Sequence, residues 1–361
     1  MAALLATSLL AGCVAPSAST AAGCPAGWRA AALWSTQAGA ESRLDFVDAD
    51  DRVTSRPVPY LGFEAAPGSP SARRGDQVVL VSNGDLDRDR THLITFDTRG
   101  CEISAVPLNE HAVMGLSAGP SDSYTSSWLN GAAQVRRYPI SGGVPVEVSF
   151  PDLGPFKLIR HGDQLFGFTT SDGKDDRPLL IAMDPQSLAE RGRWTLPDDV
   201  GWVGAALVFA DRLYFSYTGK GDGSSGEGTK LGVFDIAGST LTSVAMKKPA
   251  PYLLTASEDA VYIGHTFINP GYRPVSEYVW VSRYRPSTGA IESFDVASEA
   301  GISITAIRVV ADRLLVLGDT PDQSQGKLLT YALPSMRKLS TVVLTAPAGT
   351  GANYLAGLIT P

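Results

Sequence analysis

Histidine and cysteine are scarce in this chain, with four His and three Cys among 361 residues. His92, His111, His161 and His265 lie far apart and none is spaced as a ligand pair, which argues against a His-bound metal. No basic stripe is present and the net charge is −7, so nucleic acid is not an expected partner. Long apolar runs are also missing. The one short stretch, Ala2–Gly12, falls well under the roughly 20 residues that a membrane-spanning helix needs. There is no Gly-rich strand-to-helix fingerprint and no repeated tryptophan motif, which ranks a dinucleotide- or quinone-dependent oxidoreductase last among the function classes. No cofactor is expected. The remaining composition, 44% hydrophobic and 19% charged, is that of an ordinary globular protein.

What the chain does have is repetition. Five stretches read as an apolar strand, a tight turn at an Asp, and a second apolar strand. They are ARRGDQVVLVSNG from Ala72, IRHGDQLFGFTTSDG from Ile159, VFADRLYFSYTGKG from Val208, ASEDAVYIGH from Ala256 and VVADRLLVLGDTP from Val309. The turn residues are Asp76, Asp163, Asp211, Asp259 and Asp312, and a weaker sixth copy turns at Asp122. The period is about 40–50 residues, the span of a propeller blade of four strands. The expected fold is therefore all-β, a seven-bladed β-propeller with four-stranded blades.

Blade 5 is the clearest, with strands A to D at Val203–Phe209, Leu213–Tyr217, Lys230–Ile236 and Thr240–Met246. Blades 2, 3 and 4 are expected at Pro59–Leu108, Ala112–Phe150 and Phe156–Leu196, and blades 6 and 7 at Pro251–Val296 and Ile304–Leu344. Blade 1 is divided between the ends of the chain. Ala31–Gln37, Ser42–Val47 and Arg52–Val58 give its strands B, C and D, and Tyr354–Thr360 supplies the missing strand A. Such closure hides the sheet edges and locks the termini together. In this topology the A–B and C–D turns share one face of the ring, and the B–C and D–A loops share the other. The longest irregular loops, such as Gly219–Gly228 and Phe267–Glu277, fall on the second face, where function is expected to sit.

Two resemblances add to this reading. The apolar N-terminal stretch ends Leu10-Ala11-Gly12-Cys13, which resembles the lipobox of bacterial lipoproteins. The resemblance implies an acylated Cys13, with residues 1–13 as signal and lipidated Cys, residues 14–27 as a flexible tether, and residues 28–361 as a single propeller domain on the outer side of a bacterial membrane. No Lys or Arg precedes Cys13, and a start codon assigned too late is the expected cause. The segment LVSNGDLDRDRTHLITFDTRGCEISAVPL from Leu80 resembles the YVTN-type bacterial propeller repeat: a strand ending in Ser-Asn, a polar loop, a strand ending in Asp, a Thr-containing turn and a closing strand. It covers one blade, implies the fold and an exported location, and brings no catalytic residues. An exported chain whose remaining cysteines are Cys24 and Cys101 is read as carrying a disulfide. Both fall on the A–B face in neighbouring blades; free thiols are the alternative.

Other motifs are weighed by context. Gly115-Leu116-Ser117-Ala118-Gly119 matches the nucleophile-elbow pattern, but a strand follows it where a helix is required, so it reads as a small-residue strand end. The loop Asp85-Leu86-Asp87-Arg88-Asp89 alternates carboxylates, yet it lacks the calcium-loop glycine and Arg88 offsets its charge, so it reads as a solvated acidic hairpin; Asp172, Asp175 and Asp176 form a similar loop. GKGDGSSGEGTK from Gly219 lacks the phosphate-loop order and precedes a strand. Trp34, Trp128 and Trp280 fall in or beside strands and are expected in the core. Trp202, near the mouth of the central channel, is read either as an aromatic rim with Tyr252 and Tyr272 or as core packing.

The function expected is that of a lipid-anchored binding or scaffold module for an envelope protein, peptide or glycan, acting as a monomer. Trp202, Tyr252, Tyr272, Arg273, Asp85, Asp87 and Asp176 are the candidate binding residues. The alternative is a propeller hydrolase, lactonase-like or glycan-cleaving, with a channel-mouth site drawn from Asp198, Asp199, Glu110, His111 and Glu299.

Overall fold

The structure, a computed structural model, describes residues 23–36, 42–63, 71–83, 91–110, 112–171, 177–201, 203–217, 228–266, 280–296, 302–320, 322–348 and 353–361. Across them twenty-eight strands, numbered β1 to β28 in chain order, form seven antiparallel sheets of four strands each. Six sheets are built from consecutive strands. The seventh has the order β28-β1-β2-β3, with β28 at Asn353–Ile359 and β1 at Trp28–Thr36, followed by β2 (Ser42–Asp48) and β3 (Val53–Val58). Leu33 faces Gly357 and Trp34 faces Leu355 across the junction of the two chain ends. The expected strands of blade 1 match these bounds to within three residues at each end. No helix among the described residues is long and apolar enough to cross a membrane.

The innermost strands are β28, β4 (Ser71–Arg74), β8 (Val113–Ala118), β12 (Lys157–His161), β16 (Ala206–Phe209), β20 (Pro251–Ala256) and β24 (Ser303–Val310). From β4 to β28 each packs against the innermost strand of the next sheet. The ring closes where Arg73 Nη1 donates to the Thr360 carbonyl at 3.0 Å. Hydroxyl groups tie some of these strands together: Ser117 Oγ accepts from the Arg160 amide at 2.8 Å, and Thr255 Oγ1 from the Val309 amide at 3.1 Å. Each hydroxyl is on the penultimate residue of one innermost strand, and each amide on the penultimate residue of the next.

Seven buried apolar clusters sit between the sheets, one at each junction around the ring. Alternate residues of one strand serve opposite neighbours. In β25 (Arg313–Asp319), Leu314 and Val316 pack toward blade 6, and Leu315 and Leu317 toward blade 1. In β1, Ala31 and Leu33 face blade 2, and Ala30, Ala32 and Trp34 face blade 7. Both faces of each sheet are thus buried, which is why these strands read as continuous apolar runs.

The turn aspartates lie where the repeat puts them. At Ala210-Asp211 both residues have positive φ, 48° and 54°, the geometry of a two-residue hairpin turn that Asp tolerates well. Blade 5 departs from expectation at its first strand, which begins at Ala206 rather than Val203. The amides of Gly204 and Ala205 donate instead to Ser216 Oγ, at 3.0 and 2.9 Å, so a side chain replaces the strand ladder there. Cys24 and Cys101 form a disulfide with Cα atoms 4.9 Å apart, joining the segment before β1 to the C–D turn of blade 2.

Candidate functional site

Most of the residues proposed for binding, Trp202, Tyr272, Arg273, Asp85, Asp87 and Asp176, lie outside the described residues, as do Cys13, His111 and Glu299. Of the two roles weighed for Tyr252, rim and core, the structure gives the core. Tyr252 is 3% exposed in the core between blades 6 and 7. Its ring lies where a side chain on Gly204 of blade 5 would fall, with only 2.3 Å between a Cβ there and Cε2. The glycine lets the ring in, and the packing takes the aromatic face that a ligand would need.

Among the described residues, the carboxylates considered for hydrolysis, Glu110, Asp198 and Asp199, are not gathered at one point. Glu110 is buried in blade 3, accepting from the Thr125 and Tyr138 hydroxyls, both at 2.6 Å, and facing Arg136 at 3.2 Å. Asp199 is exposed and pairs with Lys230 at 2.5 Å, beside Asp198 in the connection between blades 4 and 5. Among the described residues no three His, Cys, Asp or Glu side chains gather as metal ligands. The nucleophile-elbow motif has a structural explanation. Gly115 is where β8 meets the next blade, since a Cβ there would stand 1.9 Å from the Phe156 carbonyl oxygen, and the Ser117 hydroxyl is occupied by the Arg160 amide.

A serine and a histidine do meet in blade 6. His265 is 0% exposed, with Nδ1 2.6 Å from the Pro249 carbonyl and Nε2 2.7 Å from Ser282 Oγ. A carbonyl only accepts, so Nδ1 carries the proton and Nε2 accepts from Ser282. Ser282 in turn accepts a hydrogen bond from the Ser293 hydroxyl, 2.8 Å away. Burial, opposed by the hydrogen bond to Pro249, pushes the imidazole pKa down to about 4. With Ser282 itself fully buried, this group is a satisfied core network and has no room for a substrate.

Two surfaces stand out. The first is on the B–C and D–A face at blade 3. Trp128 and Leu129 close β9 (Asp122–Leu129) just before the Asn130-Gly131 turn, and Met114 lies near the start of β8. Trp128 was expected in the core but is 46% exposed, with Leu129 at 47% and Met114 at 39%. The ladder explains this: Ser126 and Ser127, not Trp128, lie inside at this end of the strand.

The second is the central channel. The seven innermost strands carry Arg73, Arg74, Lys157, Arg160 and Arg308, and no Asp or Glu. Among the described residues, Arg73 donates only to the Gly75 and Thr360 oxygens, and Arg160 to the Gln164 carbonyl and the Tyr124 hydroxyl. Arg160 Nε is buried without a partner. Arg308 meets no described acceptor; burial, and then the like charge of Arg73, hold its pKa below the ordinary arginine value. A cavity of about 150 Å³ opens between the innermost strands, with Arg308 and Lys157 in its wall beside Ser71, Leu254 and Thr305. Sequence reading missed this group because its five members are divided among three strands of distant blades. The available signal was the composition of the innermost strands taken together.

No family model matches the chain, and no curated protein matches it in sequence. Solved structures do. A protein from Lactobacillus plantarum is 12% identical with a TM-score of 0.58, covering 88% of this chain and 97% of its own. A chain of the mitotic checkpoint complex is 12% identical with a TM-score of 0.55, covering 77% and 80%. The β-propeller domain of the Trilobed protease from Pyrococcus furiosus is 8% identical with a TM-score of 0.52, covering 79% and 86%. At such identities the likeness is one of architecture alone, and with its own seven four-stranded sheets it identifies the chain as a seven-bladed β-propeller.

Proposed function

We propose that this protein is an exported, lipid-anchored propeller that serves as a binding or scaffold module for an envelope protein, peptide or glycan. The observation that carries the reading is the exposed apolar group Met114, Trp128 and Leu129 on the face of the B–C and D–A loops. Tryptophan is enriched at the centres of recognition surfaces, and a closed ring holds such a side chain in place at little entropic cost on binding. Trp202, Tyr272, Arg273, Asp85, Asp87 and Asp176 lie outside the described residues; the sequence reading assigns them to loops of that face, and they are proposed to extend the contact surface.

The Cys24–Cys101 bond supports the exported location, because such bonds persist in oxidising compartments. In this proposal residues 1–13 are a signal ending at an acylated Cys13, and residues 14–27 are the tether. The tether then leaves from the disulfide face, and the Trp128 face looks away from the membrane. The module works as a monomer.

Crosslinking in native membranes, with an unrelated lipoprotein as control, tests the binding role. A reproducible envelope partner or glycan that is lost in Trp128→Ala supports it. Capture that Trp128→Ala leaves unchanged, or nothing above the control, ends it. Globomycin, which blocks lipoprotein signal cleavage, tests the anchor: a longer precursor should accumulate, and unchanged migration removes the anchor.

A further inference from the structure

Among the described residues each buried carboxylate is met by an arginine. Asp45, 1% exposed, is met by Arg43 at 2.7 Å, Trp34 Nε1 at 2.9 Å and Ser55 at 2.6 Å. Glu110 is met by Arg136. In the channel the pattern stops. Arg73, Arg160 and Arg308 reach only neutral oxygens or none among the described residues, and no innermost strand supplies a carboxylate. This occurs in a chain of net charge −7, so the excess is local.

A guanidinium cannot relieve such a site by losing its proton. Arg160 and Arg308 are partly shielded from water, and a charge shielded without a counter-charge costs stability. The ring nevertheless places Arg308 and Lys157 in the wall of one cavity, with the like charge of Arg73 acting on Arg308. A counter-charge from outside the chain removes that cost.

We propose that the central channel is a binding site for a small oxyanion, a phosphate, sulfate or carboxylate group, held by Arg308 and Lys157 with Arg73 and Arg160 near the A–B end. The cavity of about 150 Å³ sets the size. It suits a single oxyanion group or a short carboxylate, and is smaller than the roughly 300–1,000 Å³ of sites for drug-sized molecules. Arginine matches both chemistries, because its planar fork donates in pairs to oxygens of either geometry. This site is separate from the Trp128 face and does not depend on the role proposed for it.

The test is titration calorimetry of the whole chain with inorganic phosphate, sulfate and succinate, at an ionic strength held constant with chloride. Saturable binding is expected for at least one of them, weakened at least about tenfold in Arg308→Met, the loss of one charged hydrogen-bonding partner. A phosphate or sulfate preference assigns a tetrahedral oxyanion, and a succinate preference a carboxylate. In chloride buffer free of oxyanions Arg308→Met should melt no lower than the parent, because it removes a charge with no described partner. Phosphorus NMR on the parent gives a readout that needs no variant: the inorganic phosphate line should broaden with protein and recover when sulfate or succinate is added in excess. Failure of all three anions to bind above the chloride control overturns the proposal, and so does equal affinity in Arg308→Met.

Discussion

Protonation of His265 should weaken the fold by an amount that its surroundings set. In the neutral ring both nitrogens are satisfied, Nδ1 by the Pro249 carbonyl and Nε2 by the Ser282 hydroxyl. Adding a proton to Nε2 forces Ser282 to turn its own hydrogen away and leaves a cation in a fully buried position near Lys248. The pKa falls from 6.5 to about 4. A depressed histidine pKa means that the folded state prefers the neutral ring. Its contribution is therefore complete above about pH 6.5 and is lost as the pH falls toward 4. The shift corresponds to about 3 kcal/mol. The assay is urea unfolding of the parent and His265→Gln between pH 8 and pH 4. At pH 8 the variant should be less stable by about 1–3 kcal/mol, the cost of the lost hydrogen bonds. Toward pH 4 the parent should lose about 3 kcal/mol that the variant does not, so the gap closes or reverses. A gap of the same size at pH 8 and pH 4 would refute the reasoning, as would an imidazole proton resonance titrating near pH 6.5.

Gly115→Ala should destabilise by about 1–3 kcal/mol by overpacking, since its Cβ would meet the Phe156 carbonyl oxygen, and thermal unfolding equal to the parent's would remove that contact. Cys24→Ser should cost up to about 4.5 kcal/mol in the chain-entropy model for cysteines 77 residues apart; parent and variant should melt alike in reductant, and a persistent difference there would assign the effect to packing. Asp319, whose pKa burial pushes up to about 6, favours the neutral acid in the fold. Its contribution is present below about pH 4 and lost as the pH rises through 6, so Asp319→Asn should stabilise by about 2 kcal/mol at pH 8 and have little effect at pH 4. Equal unfolding midpoints at pH 8 would count against that.

The ring was legible in the sequence because its turns and its core speak in local patterns. Asp76, Asp163, Asp211 and Asp312 occupy the A–B turns and Asp259 the corresponding bend, each flanked by the apolar strands that betray it. Blade 1 was readable from two distant segments because a strand with no partner on one side demands one. The first strand of blade 5 was read too long, since only three dimensions bring Ser216 to the amides of Gly204 and Ala205. Trp128 was misread because the same strand carries Ser126, 0% exposed, inside and its tryptophan outside, the reverse of what hydrophobicity suggests. Serine wins that place because Ser126 Oγ accepts from the Phe156 amide of the next blade at 2.9 Å.

The channel was illegible for a different reason, and it concerns charge. Arg73 and Arg74 stand beside Asp76, Arg160 beside Asp163, and Arg308 close to Asp312. Any short window over these segments is near neutral. Folding separates the partners. The strand carries each arginine toward the axis, while the turn carries the aspartate out to the A–B face, where its side chain is exposed. There Asp76 pairs with Arg99 at 2.5 Å, Asp163 with Arg191 at 3.5 Å, and Asp312 with its neighbour Arg313 at 3.8 Å. Such exposed pairs contribute little stability. Their consequence is spatial. With these acids engaged on the rim, Arg308 meets no acceptor among the described residues, and Arg73 and Arg160 meet only neutral ones. A sequence-neutral repeat thereby becomes a ring with a basic centre, and only the β-propeller topology, bringing together the innermost strands of three blades, reveals it.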